Sequence, residues 1–574
     1  MPDPHNSHLI PLTIAVTGHR DIHPADEEAI KSFLQKRFLE LRQKYKNTPL
    51  LALSGLAAGA DMIFAEAALD MGIEVVPVLP AGPDVFALDF KGKTGTDRDK
   101  GALEKRFRKL LEQCSDPVIV AENFERDDPA RYERVGSYLL RHSQILFALW
   151  DGLPSESTGG TAWVVETARN GNYDFSWEVS RDGEGKPRRS LYTPEPMEVH
   201  HLLVSRGDRA PFGFMRWQSD EPGDKKTSES CLNNTKAIVV LDRFNRDASR
   251  LRSKNPAVVE AYRKWMGLDP DAAPADTSFI SKSENRMLEV LAAAGTLAVA
   301  LRNRSKFTLG MISWIALLVV ASFEYYSNIQ HHWLFLVLYL GGMLAGVVVY
   351  LLDRCRRTYA RYVDYRGLAE GLRVLLFWRL SGLPNSAADH YLRKQRNEIA
   401  WIRRALYTLN VGARRTSPRF DLVKKYWIED QAGYFDESSP RDKKSHDLYM
   451  LLATCCFFAG LALAAAVLAI ELTAWAPMRA SFWMNRLILS AGLLPAGAAI
   501  LRGYADRRGF AQQAKRYAQM RDLFQAADSR FNPFDEKSRP DHLKLLFELG
   551  EEALSENGDW ILLHRERPIP SHLQ

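Results

Sequence analysis

Residues 333–352 read WLFLVLYLGGMLAGVVVYLL, twenty positions without a charge. A helix rises about 1.5 Å per residue, so roughly 20 apolar residues cover the ~30 Å hydrocarbon core of a bilayer. Three further runs lie around it. Residues 307–323 carry no charge over 17 positions, 448–470 none over 23 and 487–501 none over 15. The last is lengthened upstream through 481–485 if Arg486 reaches back to the interface. Basic residues flank each pair: Arg302, Arg304 and Lys306 before the first run, Arg354, Arg356 and Arg357 after the second. Arg441, Lys443 and Lys444 precede the third, and Arg502, Arg507 and Arg508 follow the fourth. The links 324–332 and 471–486 are short and hold little positive charge. These flanks argue against buried helices of a soluble domain and predict two membrane hairpins, with both termini and every long segment in the cytoplasm. Trp333, Trp475, Trp483 and Tyr325 fall where an interfacial aromatic belt would lie.

No span carries an ionisable residue in its middle, which disfavours a secondary transporter and leaves open a pore closed by apolar side chains. Small residues crowd the third and fourth spans, among them Gly460, Ala464, Gly492 and Ala496, and permit close packing within one bundle or between subunits. The 574 residues and 65.0 kDa leave room for roughly three to four domains. Lys plus Arg total 76 and Asp plus Glu 70, a net +6 too balanced for a general nucleic-acid binder. Five cysteines, an odd number without a C-x-x-C pair, predict neither a disulfide framework nor a structural zinc site and suit a reducing compartment. No His/Cys cluster has metal-ligand spacing, so no metal or cofactor is expected. The first residues lack a basic segment followed by an apolar one, and no cleavable leader is expected.

The first 170 residues alternate strand, glycine turn and helix, the pattern of a parallel sheet wrapped by helices. TIAVT (13–17), 50–53, EVVPVL (74–79) and QILFALW (144–150) read as strands, with 199–204 continuing to the sheet edge. Helices are expected over 25–44, up to Met71, over 132–142 and through Arg169. Glycines fall at the strand ends, where open α/β sheets bind ligands and helix N-termini offer amide donors to anions.

Four motifs in this register, TGHR (17–20), SGLAAGAD (54–61), ALWDG (148–152) and GGTA (159–162), resemble the SLOG superfamily. This Rossmann-like group includes DprA-type DNA-processing proteins and LOG phosphoribohydrolases. The resemblance covers residues 10–170. It implies a nucleotide-derived ligand held by Gly18, His19, Arg20, Ser54, Gly55, Ala58, Gly59, Asp61, Asp151, Gly159, Gly160 and Thr161. Glu166 is the catalytic candidate if the domain hydrolyses its ligand, although the PGGxGTxxE element of LOG enzymes is incomplete, with Thr158 in place of the proline. Arg20 has Asp21 or Asp61 as alternative partners. Glu166 as easily offsets a helix dipole.

After the second span, YRGLAEGLR (365–373) resembles the SLATT group, two-span effectors of nucleotide-signalling systems, over residues 285–415. The last two spans with 510–528 and 549–567 look like a divergent second copy. A basic helix is expected over 388–409, with Arg393, Lys394, Arg396, Arg403 and Arg404 on one face. The polar cluster from Asp559 to Arg567 reads as helix packing and ion pairing. The expected fold class is α/β, a Rossmann-like parallel sheet joined to an all-α region of four transmembrane helices with cytoplasmic helices. Its segments are 1–235 (core 10–170, polar insertion 171–235), 236–300 as a connecting strand and helix, 301–445 and 446–574. The spans are 307–323, 333–352, 448–470 and 481–501. The expected function is a bacterial inner-membrane effector of anti-phage defence. It senses a nucleotide second messenger, acts as a homo-oligomer in the lipid bilayer and binds no specific nucleic acid. The alternatives are a membrane-tethered phosphoribohydrolase or glycosidase, and a membrane scaffold with a protein-binding Rossmann-like domain.

Overall fold

The computed structural model describes residues 8–91, 97–121, 130–154, 159–170, 197–207, 217–219, 225–266, 282–391, 399–412, 418–472 and 482–565. The chain forms two compact units that do not follow its linear order. One comprises Met1–Gly295, Asp364–Pro418 and Gly550–Gln574, the other Thr296–Val363 and Arg419–Leu549.

The first unit is built on a sheet of seven strands: β1 (Leu12–Gly18), β2 (Leu50–Ser54), β3 (Glu74–Leu79), β4 (Val118–Ile119), β5 (Ile145–Trp150), β6 (Glu198–Leu203) and β7 (Trp217–Ser219). They lie in the order β4-β3-β2-β1-β5-β6-β7, parallel except for the β6–β7 edge. In register, Thr13 stands beside Leu51 and Val16 beside Phe147. The central strands LTIAVTG, LLALS and ILFALW are apolar almost throughout because both of their faces are covered. Crossovers run through α1 (Glu27–Lys44), α2 (Ala60–Asp70), α3 (Pro83–Ala87), α4 (Asp97–Gln113), α5 (Ala130–His142) and α6 (Thr161–Asn170). On one face Phe38, Phe64 and Phe147 meet with ring centroids 5.3–5.6 Å apart. On the other, Leu139 and Leu140 of α5 and Val164 and Val165 of α6 pack with Leu146 and Ala148. Each large side chain so buried stabilises the unit by about 1.5–3 kcal/mol.

The strands expected from sequence are present, with two additions, the short β4 and β7. The two-residue β4 is too short to show periodicity. The run 237–241, expected as a strand of the connecting region, lies instead inside helix α7 (Lys225–Lys254). Buried Asn234, Ile238, Leu241 and Asn245 recur along it at three- and four-residue steps, a helical stripe rather than a strand. Residues 171–196, 208–216 and 220–224 of the expected polar insertion lie outside the described residues, while 198–203 and 217–219 supply β6 and β7. Beyond α8 (Val258–Trp265) come the long α9 (Lys282–Asn328) and α10 (Trp333–Arg356).

Then follow α11 (Thr358–Leu380), α12 (Ala387–His390) and α13 (Ala400–Leu409). Tyr365, Leu368, Leu372, Leu375 and Leu376 of α11 are buried, as their spacing requires. From Asp364 onward these helices belong to the unit of the sheet, not to the spans. Tyr365 donates to Asp247 of α7 at 2.6 Å. Gln144 Nε2 donates to Thr408 Oγ1 of α13 at 2.7 Å, closing the amino ends of β1 and β5. The expected basic face does not survive at Arg403, which is buried and donates to the Ala388 carbonyl at 3.3 Å. Arg393, Lys394 and Arg396 lie outside the described residues. The described part of the C-terminal cluster packs as expected: Trp560 is buried, Arg565 pairs with Asp364, and His564 Nδ1 lies 2.8 Å from the Trp560 carbonyl, while Glu566 and Arg567 lie outside the described residues.

Four helices are long and apolar enough to cross a membrane, Ser283–Asn328, Trp333–Leu380, Phe420–Leu472 and Trp483–Arg530, and the apolar runs 307–323, 333–352, 448–470 and 487–501 within them belong to the second unit. At most 11% of each apolar window is buried, and large side chains such as Phe307, Trp314, Leu344, Phe458 and Leu468 are exposed. The helices touch through small residues. A Cβ on Gly342 would sit 2.7 Å from Val319, and one on Gly460 would sit 2.6 Å from the Pro495 ring. Such contacts let helix backbones approach where lipid supplies no hydrophobic drive. Glu324, expected in the link between the first two spans, is still helical, because α9 runs on to Asn328. Trp475 lies outside the described residues.

Candidate functional site

The chain steps from β1 outward through β2, β3 and β4, then crosses over to β5 on the other side of β1. This reversal opens a crevice at the carboxyl ends of β1 and β5, the place where doubly wound sheets take ligands. A cavity of about 520 Å³ occupies it, within the range of small-molecule sites. Gly18, His19 and Arg20 line it from the exit of β1, Gly55 and Asp61 from the second turn, and Gly159, Gly160 and Thr161 from the start of α6. Eight of the residues expected from sequence therefore share one cavity. Ser54, Ala58, Gly59 and Asp151 do not line it.

Ser54, Gly59 and Asp151 act on the ones that do. Ser54 Oγ donates to the Asp61 carbonyl at 2.9 Å and accepts from the Leu56 amide at 3.1 Å, holding the turn. Gly59 precedes α2 with φ +76°, and a Cβ there would lie 2.5 Å from the His19 carbonyl. Only glycine fits both demands. The Ala60 amide then donates to the same carbonyl at 3.0 Å, tying the exit of β1 to α2. His19 Nε2 lies 3.1 Å from Asp151 Oδ1, which orients the imidazole. Burial pushes the Asp151 carboxyl up, but the Leu153 amide and His19 outweigh it and hold the group below its ordinary value.

Arg20 is the cation at the cavity mouth. Its guanidinium lies 4.6 Å over the Tyr132 ring and, among the described residues, makes no ion pair with a carboxylate. The expected Asp21 partner is taken by Arg206, at 3.0 Å. Tyr132 is fixed in turn, donating to Asp89 at 2.7 Å, while Arg131 pairs with the same carboxylate at 2.6 Å. Asp61 accepts from the Ala57 amide at 3.4 Å. Burial pushes its carboxyl up to about 7, against the opposing pull of that amide and of Arg20. The cavity thus presents, at one end, glycine turns and a guanidinium held by Tyr132 without a carboxylate partner. Phe86, Val135, Leu139 and Val164 form an apolar wall.

Tyr132, Arg206 and the apolar wall were not legible in the sequence. They come from α3, α5, α6 and the segment after β6, and nothing in their local spacing marks them. Glu166, the catalytic candidate, is exposed on α6 and is not part of the cavity lining. Thr158 lies outside the described residues. No cluster of three or more His, Cys, Asp or Glu able to hold a metal occurs among the described residues.

Fold and cavity together define an α/β chain with a small-molecule-sized site at its topological switch point and four membrane-length helices. No family model, curated protein or solved structure matches it. The likeness to SLOG and SLATT proteins accordingly rests on the sequence motifs alone.

Proposed function

We propose that this chain is a membrane effector whose cavity senses a nucleotide-derived messenger and whose four helices respond by opening a pore or disrupting the bilayer. The observation that carries the reading is Arg20, a guanidinium that pairs with no described carboxylate and lines a switch-point cavity between glycine turns. A phosphate fits that end and a planar base fits the apolar wall. The second support is the joining of this cavity, in one chain, to four helices long and apolar enough to cross a membrane. The SLOG-like and SLATT-like motifs add a setting: anti-phage defence at the bacterial inner membrane, with both termini cytoplasmic and the protein acting as a homo-oligomer. A messenger drives such a change only by binding one state of the protein more tightly than the other.

The test uses the full chain, because the unit of the sheet includes residues 364–418 and 550–574 and a fragment ending near residue 300 would leave it incomplete. Native mass spectrometry of detergent-purified protein from phage-infected cells should reveal a copurifying nucleotide-like mass. That compound should then trigger dye leakage from liposomes carrying the protein. An empty cavity, together with no thermal shift across a nucleotide panel, sinks the sensor reading. Hydrolysed fragments in place of an intact ligand would favour an enzyme.

A further inference from the structure

Arg302 and Lys306 stand four residues apart on α9, on one face of the helix. Near the far end of α9, Glu324 packs on Gly492 of the fourth apolar helix, where an added Cβ would lie 3.2 Å from Glu324 Cδ and Oε1. From that contact, eighteen residues back along α9 lead to Lys306 and sixteen forward along the fourth helix lead to Arg508. At 1.5 Å per residue these are about 27 and 24 Å, so an antiparallel pair brings the two cations to one level. Lys306 indeed lies within electrostatic reach of Arg508, Arg302 and Arg441, which repel it, and of one carboxylate, Asp442. That carboxylate is buried and stands 3.6 Å from Arg441. Among the described residues, no carboxylate pairs with Arg302, Lys306 or Arg508.

The Nε atoms of Arg302 and Arg508 are shut off from solvent and have no hydrogen-bond partner. The Arg508 guanidinium is held 4.9 Å over the Phe510 ring. A basic flank has only to keep cations out of the hydrocarbon. It does not have to gather them half-buried from two helices with donors unmet, an arrangement that repels itself until an anion enters. Apolar surface begins directly beside the cluster: Phe307 is 72% exposed, and no charge follows until residue 324. A phospholipid matches both features, with phosphate oxygens for the guanidinium forks and acyl chains for the exposed run. A soluble anion would use the cations alone.

We propose that Arg302, Lys306 and Arg508 bind the phosphate of an anionic phospholipid headgroup at the basic end of the four-helix unit. The site rests on these helices being embedded in lipid and is independent of any ligand at the sheet. Full-length protein in detergent micelles would be titrated with short-chain phosphatidylglycerol, with phosphatidylcholine of the same chains and with sodium phosphate, at equal ionic strength, and melted at each step. The expected result is a saturable rise in melting temperature with phosphatidylglycerol alone. Its midpoint should move to about tenfold higher lipid in Lys306→Gln and in Arg508→Gln. It should stay in place in Lys443→Gln, which removes one exposed charge near Arg441. An equal rise with phosphatidylcholine, a midpoint unmoved in Lys306→Gln and Arg508→Gln, or an equal shift in Lys443→Gln overturns the site. A rise with sodium phosphate equal to that with phosphatidylglycerol also overturns it, because the occupant is then a soluble anion. Should Arg508→Gln not fold, the Lys306→Gln titration decides. Nucleotide binding at the sheet is not read by this measurement, so the two proposals fail separately.

Discussion

β5 and α10 are built from the same kinds of residue and use them in opposite ways. All six residues of ILFALW are buried in the sheet. Of WLFLVLYLGGMLAGVVVYLLDRCR only Asp353 is buried, while Trp333 is 67% and Leu344 66% exposed. Apolar content alone therefore does not say where a side chain goes; length does. Six residues in a strand find cover from neighbouring elements, whereas an exposed apolar run of some twenty helical residues has the length and composition to meet lipid. Polar groups reverse the pattern. The sheet unit aims Arg20 into a cavity at a strand end, whereas the apolar runs 307–323, 333–352, 448–470 and 487–501 hold no charge at all.

The sharpest way to break this comparison is one substitution made in both places. Leu146→Ala, in the fully buried centre of β5, should lower stability by about 2–5 kcal/mol in thermal unfolding of the full chain. Leu344→Ala should cost less than about 0.5 kcal/mol, as exposed positions do. Equal losses would mean that α10 is covered by protein.

A charge sharpens the same contrast. Leu344→Arg should cost about 2.5–3.5 kcal/mol of membrane insertion, read as the inserted fraction in a microsomal assay. Full insertion would place that face outside the hydrocarbon.

Asp61 tests the polar side. Its folded-state pKa lies above the unfolded one, so the fold disfavours the ionised form. The penalty is absent below the ordinary value of 3.8 and complete above about 7. At 1.36 kcal/mol per unit and discounted for partial exposure, Asp61→Asn should add about 2–3 kcal/mol at pH 8 and distinctly less at pH 5. A gain independent of pH would show that the carboxyl titrates normally. The same protonation removes a negative charge near Arg20, so an anionic ligand should bind more tightly at pH 6 than at pH 8.

The smallest expected effect is the most specific. Arg20→Ala should weaken nucleotide binding about 10–100-fold, the worth of a charge-assisted contact of ~1.5–3 kcal/mol. Melting should not change, because Arg20 is exposed and unpaired with any described carboxylate. A parallel loss of stability would make it a structural residue.

The glycine motifs show how far local sequence carried the site. TGHR, SGLAAGAD and GGTA placed eight cavity residues, since a strand-end turn that must pass close to another chain segment has to be glycine. They did not separate residues facing the ligand from residues holding the turn, and Ser54 and Gly59 proved to hold it. Arg20 was visible as a cation, but whether it was free depended on Arg206, 186 positions away, taking Asp21.

The sequence by itself determined the elements: parallel-sheet strands, glycine turns and four membrane-length helices, each encoded in contiguous residues whose period or length is physically sufficient. The tertiary structure decided what those elements share. It placed 364–418 and 550–574 with the sheet, set Tyr132 under Arg20 and seated Glu324 on Gly492. Such pairings join positions tens to hundreds of residues apart, and periodicity within a short window carries no information about which distant surface will cover it.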